Sequence, residues 1–137
     1  MKISICGSMQ FSGEIITLKN GLEDIGHFVN LPKFSEEYAK MDSIDHIITE
    51  SARNKIEHDL IRKYFEVISG SDAVLVANLT KNGVKNYIGG NSFLEMGFAF
   101  VLEKGIYLLN PVPDMHYKDE ILAMQPVVIH GDLTKIK

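Results

Sequence analysis

Residues 87–100 read Tyr-Ile-Gly-Gly-Asn-Ser-Phe-Leu-Glu-Met-Gly-Phe-Ala-Phe. Glu95 is the lone acid in an apolar run that follows a two-glycine turn. A carboxylate so placed has two uses. One is electrostatic: in the first turn of a helix that starts near Asn91, with Asn91 as N-cap, it gains about 0.3–1 kcal/mol from the helix dipole. The other is chemical. Phe93, Leu94, Met96, Phe98, Ala99 and Phe100 surround Glu95 in the sequence, so much of this helix is expected to be buried. A buried carboxylate is costly unless it is paired or faces a cavity. A poorly solvated carboxylate at a pocket edge is what a covalent nucleophile requires.

The elements that must position Glu95 follow from periodicity. Residues 3–6 form a short apolar run closed by Gly7-Ser8 and read as a first strand. Residues 12–25 carry Ile15, Ile16, Leu18, Leu22 and Ile25 at mostly helical spacing, and Gly26 ends them. Residues 28–31 are a weak second strand stopped by Pro32. Residues 33–50 are polar and read as a variable insertion with a short helix. A helix is expected over 51–68, with Ile56, Leu60, Ile61, Tyr64 and Ile68 on one face. Residues 73–77, Ala-Val-Leu-Val-Ala, are continuously apolar, as in a parallel strand covered on both faces. A polar loop over 78–90, the Glu95 helix over 91–103 and a strand over 106–109 follow. Two prolines at 111 and 113 force a loop. A short helix over 118–123 and a strand over 127–129 complete the chain.

This alternation predicts one domain over 1–137, a three-layer α/β/α sandwich around a flavodoxin-like parallel sheet of about five strands. Ligands of such sheets sit beyond the carboxyl ends of the strands. Three loops leave those ends, at 7–13, 78–90 and 110–117, and all are rich in Gly, Ser, Asn or Pro.

Composition narrows the function. With 137 residues, 45% hydrophobic and 23% charged, the chain resembles an ordinary globular protein able to bury a core. A net charge of −4 without a basic stripe argues against a nucleic-acid polymer as partner, though not against one nucleotide. The single cysteine, Cys6, excludes an internal disulfide and a CxxC metal site. No run is long enough for a signal peptide or membrane span, so a cytoplasmic protein is expected.

Certain of these residues resemble a known family. Cys6-Gly7-Ser8-Met9, closing the first strand, is similar to the opening loop of the 2′-deoxynucleoside 5′-monophosphate N-hydrolases. Residues 71–78 followed by 89–109, with Glu95-Met96-Gly97, look like the second half of the wider nucleoside 2-deoxyribosyltransferase family. The resemblance implies that Glu95 attacks the anomeric carbon of a nucleotide or nucleoside and expels the base. The glycosyl-enzyme is then resolved by water or by a second base, with the logic of a retaining glycosidase. It implies sugar or phosphate contacts from Gly7 and Ser8 and from Gly90, Asn91 and Ser92; their place at the ligand edge adds Met9, Asn78, Asp114 and Tyr117 as candidate contacts. It also implies a homodimer, and neither a cofactor nor a metal. There are two departures. The transferases carry an Asp six residues before the Glu, where this chain has Gly89, and an Asp where it has Tyr64. Both weaken a transferase more than a hydrolase, because a transferase binds two bases in turn.

The remaining polar residues divide by position. Ser8 and Ser92 offer hydroxyls to a ligand or simply stabilise turns. Asp114, His116 and Tyr117 follow the fourth strand at the ligand edge, and either touch a base or ribose or are loop polarity. Met9 and Phe11 form a lid or pack in the core. A phosphate would rely on backbone N–H groups, hydroxyls and Lys81 or Lys85, since the glycine turns carry no basic residue. Asp72, at the opposite sheet end, is expected to be structural, as is Cys6. His27 lies just past a helix C-terminus, where a cation is favoured. His46 with Asp45 and His58 with Asp59 are adjacent pairs that do not share a helix face, which argues against a relay or metal role. Two rivals remain beside the hydrolase and transferase: a nucleotide-binding domain without catalysis, and a flavin-binding flavodoxin-like module, whose preparations would be yellow.

Overall fold

A computed structural model describes residues 1–32, 35–39 and 59–137. Five strands form one parallel sheet: β1 (Lys2–Cys6), β2 (Phe28–Asn30), β3 (Ala73–Val76), β4 (Gly105–Leu108) and β5 (Val127–Val128), in the order β2-β1-β3-β4-β5. This is the flavodoxin-like order expected from the alternation of elements. β3 is buried at all four residues, and β1 at the last four of five. Both are therefore strands covered on both faces, β3 by a continuous apolar run and β1 with the polar Ser4 within its own.

Helices cover the two faces. On one face lie α3 (Leu60–Ser69), α4 (Gly90–Val101) and α5 (Lys118–Ala123). Tyr64 and Ile68 of α3, Met96 and Ala99 of α4 and Ile121 of α5 pack there with Cys6, Val76 and Leu108. On the other, α1 (Ser12–Asp24) buries Ile15 and Leu22 against Ile3, Ile5 and Leu75, joined by Ile136 near the end of the chain. The short helix α2 (Ser35–Tyr38) adjoins α1. Gly26, with φ +98°, turns the chain out of α1, a conformation that favours glycine.

Several boundaries differ from expectation. The insertion at 33–50 contributes α2, while 33, 34 and 40–50 lie outside the described residues, as do Ile56 and His58. In α3 the residues at i and i+4, Tyr64 and Ile68, face the sheet. Ile61 is 40% exposed, because it belongs to the next row with Phe65, whose ring meets Phe98 of α4 edge-on at 5.2 Å. No helix among the described residues is long and apolar enough to cross a membrane.

Register brings the strand ends level. Cys6 stands opposite Val76, and Val76 opposite Leu108. The loops that follow these three residues open at the same edge.

Candidate active site

α4 starts one residue before the expected N-cap. Gly89 is the N-cap, so Asn91 and Ser92 are the second and third helical residues, and neither caps the helix. Glu95 therefore stands in the second turn, and no acid occupies the first. The dipole effect fades within the first turn, so capping electrostatics do not account for Glu95. The residue is 5% exposed and is the one charged side chain buried among the described residues. Ser92, three residues earlier, shares its inward face and is also 5% exposed.

Glu95 meets the end of β1. Burial pushes the Cys6 thiol well above its ordinary range, and the nearby Glu95 carboxylate, as a charge and as a hydrogen-bond acceptor, pushes it further. The thiol is thus a neutral donor toward the carboxylate. Tyr64 of α3 completes the cluster. Its hydroxyl donates to the Ile5 carbonyl oxygen. Burial raises its pKa most, Cys6 and Glu95 add to the rise, and a hydrogen bond with Ser4 opposes it. Glu95, Cys6 and Tyr64 come from three elements. Tyr64 holds the position where the sequence resemblance expects an Asp, and that mismatch was the signal available for its place in the site. For Cys6 the sequence indicated burial, which is observed, but not contact with Glu95.

The first loop lies beside this cluster. Gly7 is close-packed: an added Cβ would lie 3.0 Å from Ile15 Cδ1 and 3.3 Å from Ala77 Cβ. Ser8 caps a 3-10 turn over Met9–Phe11, accepting from the Gln10 N–H at 3.3 Å. Met9 is half-buried, and its carbonyl oxygen accepts from Ser12 Oγ at 2.6 Å. Lys81 Nζ reaches Ser8 Oγ at 3.2 Å.

Two expected ligand contacts are already engaged within the protein. Asn78 is fully buried, and its Nδ2 donates to the carbonyl oxygens of Asn110 at 2.8 Å and Pro111 at 3.2 Å. Its Oδ1 accepts from the Asn110 N–H at 2.9 Å, and Asn110 Nδ2 donates to the Asn78 carbonyl oxygen at 3.1 Å. Asn78 therefore clasps the loops after β3 and β4. Tyr117 donates its hydroxyl to the Ile88 carbonyl oxygen, and its ring stacks on Phe93 at 4.4 Å. One face of that ring is thus covered, and Tyr117 braces the start of α4. Asp114 and His116 are exposed on the loop after β4. Asp72 lies at the opposite edge, where its Oδ2 accepts from the Lys2 N–H at 2.7 Å, a structural contact as expected. Among the described residues no group of three or more His, Cys, Asp or Glu could hold a metal ion.

Compared with protein-family models, curated proteins and solved structures, the chain has no match.

Proposed function

We propose that the protein cleaves the N-glycosidic bond of a nucleoside 5′-monophosphate or nucleoside, through a covalent glycosyl-enzyme at Glu95. One observation carries this: the one charged side chain buried among the described residues lies in the second turn of α4, against the last residue of β1, at the edge where parallel α/β sheets bind ligands. The helix dipole, which fades within the first turn, does not account for a carboxylate buried in the second.

In the reaction, a Glu95 oxygen bonds to the anomeric carbon as the C–N bond breaks. The base leaves with the bonding electrons and takes up a proton. Water then attacks the same carbon and releases Glu95, giving the free sugar with retained configuration. Resolution by a second base instead of water would make the enzyme a transferase. The thiol of Cys6 donates to the carboxylate and holds its orientation. Tyr64 does not protonate the leaving base, because its one hydroxyl proton is given to Ile5.

The test is chromatographic detection of free base from ribo- and deoxyribonucleosides and their 5′-monophosphates. The expected result is release by the wild type and a loss of at least a thousandfold in Glu95→Gln. Release that survives the substitution removes Glu95 as nucleophile. A second reading, a nucleotide-binding domain without catalysis, is favoured by the commitment of Tyr64 to Ile5 at the position of the expected Asp. It would be supported by the absence of release from every substrate, with a nucleotide still raising the melting temperature.

A further inference from the structure

A file of buried polar side chains runs between α3 and β1. Ser71, Ser4, Tyr64, Cys6 and Glu95 are all buried. Ser71 Oγ donates to the Val67 carbonyl oxygen at 2.9 Å and lies 2.6 Å from Ser4 Oγ. Ser4 also bonds the Tyr64 hydroxyl. Tyr64 has one proton, which goes to the Ile5 carbonyl oxygen. Cys6 follows Ile5, and its thiol donates to Glu95. The file thus leads from Ser71, just before β3, to the carboxylate beyond the end of β1.

Stability does not require these hydroxyls. A buried hydroxyl costs free energy unless it is bonded, and replacing both partners of a buried bond by apolar groups is nearly neutral. The same layer holds Ile68, Val74 and Val76. What the file does is immobilise Cys6. The carbonyl before it, of Ile5, is held by Tyr64, and its own carbonyl oxygen accepts from the Ala77 N–H at 2.8 Å. Gly7, the next residue, is packed against Ile15 and Ala77. With the backbone fixed on both sides, only rotation about its Cα–Cβ bond moves the sulfur. The titratable groups shown against Glu95 are Cys6 from β1 and Tyr64 from α3, and Val76 of β3 and Leu108 of β4 join the same cluster. Glu95 therefore meets a fixed neutral donor at the end of β1.

We propose that Tyr64 and Ser4 are positioning residues: they hold the Ile5–Cys6 peptide, so that the Cys6 thiol keeps the Glu95 carboxylate ionised and aimed. The kinetic consequence rests on the glycosidase reading, whereas the hold on the carboxylate does not. Reacting groups must be held to within about 0.5 Å, and groups behind them do the holding.

The experiment combines kinetics with infrared spectroscopy of the S–H stretch, an unambiguous band because Cys6 is the one cysteine. Tyr64→Phe keeps the ring and is expected to lower kcat by about ten- to a hundredfold, the cost of a small misplacement, with KM unchanged. Ser4→Ala should act in the same direction, by a smaller factor. A hydrogen bond to the charged form lowers a carboxyl pKa, so Cys6→Ala should move the acid limb of kcat/KM to higher pH, and Cys6→Ser should restore it. The S–H band should shift to higher frequency in Glu95→Gln and in Tyr64→Phe, as the thiol loses its charged or its aligned acceptor. A lower melting temperature in Tyr64→Phe and Ser4→Ala, with kcat, acid limb and S–H band all unchanged, overturns the proposal and leaves the glycosidase reading standing. An acid limb that stays in place in Cys6→Ala overturns the part given to the thiol. Wild-type protein that releases no base from any substrate, with the S–H band still shifting in both variants, ends the glycosidase reading and leaves the hold on the carboxylate standing.

Discussion

Glu95 and Cys6 illustrate how one position decides between roles. The N-cap at Gly89 rather than Asn91 separates a first-turn acid, explained by the dipole, from a second-turn acid that is not. Sequence located the acid and its apolar neighbours but not this boundary, because Gly89, Gly90 and Asn91 are all acceptable N-caps. The identity of its neighbours was less legible still. Tyr64 lies 31 positions before Glu95 in the sequence, and only the packing of α3 beside α4 brings the two to Cys6. Burial has a direct consequence for the thiol. Only the thiolate reacts with alkylating agents, and Cys6 is fully buried with its pKa well raised. Native protein at pH 8 is expected to resist iodoacetamide and to label fully in urea, as read by mass spectrometry. Prompt labelling of the native protein would contradict the position given to Cys6.

At the scale of elements, the strands were legible because β3 is an uninterrupted apolar run and β1 is broken only by Ser4, and Gly26 and the prolines at 111 and 113 marked real breaks. The clasp made by Asn78 was not. At the ligand edge an Asn after a strand reads as a substrate contact, and only the alignment of β3 with β4 shows that it faces Asn110. The clasp joins the two loops that flank α4 and the site. Asn78→Ala removes two donors and one acceptor and leaves the Asn110 N–H without its partner. A loss of about 3 kcal/mol is expected, seen as a lower urea midpoint with an unchanged m-value. A loss below about 1 kcal/mol would mean that water replaces the clasp.

At the scale of the whole molecule, the order of strands and both layers followed from the β-α alternation, since right-handed crossovers leave few alternatives. The core also sets the response to pH. Cys6 and Tyr64 are raised above their ordinary values of 9.0 and 10.0. A group raised on folding contributes stability that is complete below its unfolded pKa and is lost as pH rises through the folded one. The decline should therefore begin above about pH 9 with Cys6 and steepen above about pH 10 with Tyr64, each adding up to about 1.4 kcal/mol per pH unit. Lys81, lowered from 10.5 by desolvation, acts in the opposite sense just below that value. Urea midpoints measured from pH 7 to 11 should fall in this order, and Cys6→Ala should delay the onset. A flat profile to pH 11 would contradict the buried cluster.

The pairing of β1 also bears on synthesis. Ile3 pairs with Ala73, 70 residues later in the chain. At roughly 5–20 residues per second, β1 leaves the ribosome on the order of ten seconds before β3 is made. During that interval one edge of an apolar strand has no neighbour, which is a template for pairing with other chains. β2, only some 26 residues away, covers the other edge sooner. The nascent chain is therefore most prone to aggregation before Ala73 emerges, and a slower ribosome would lengthen that exposure.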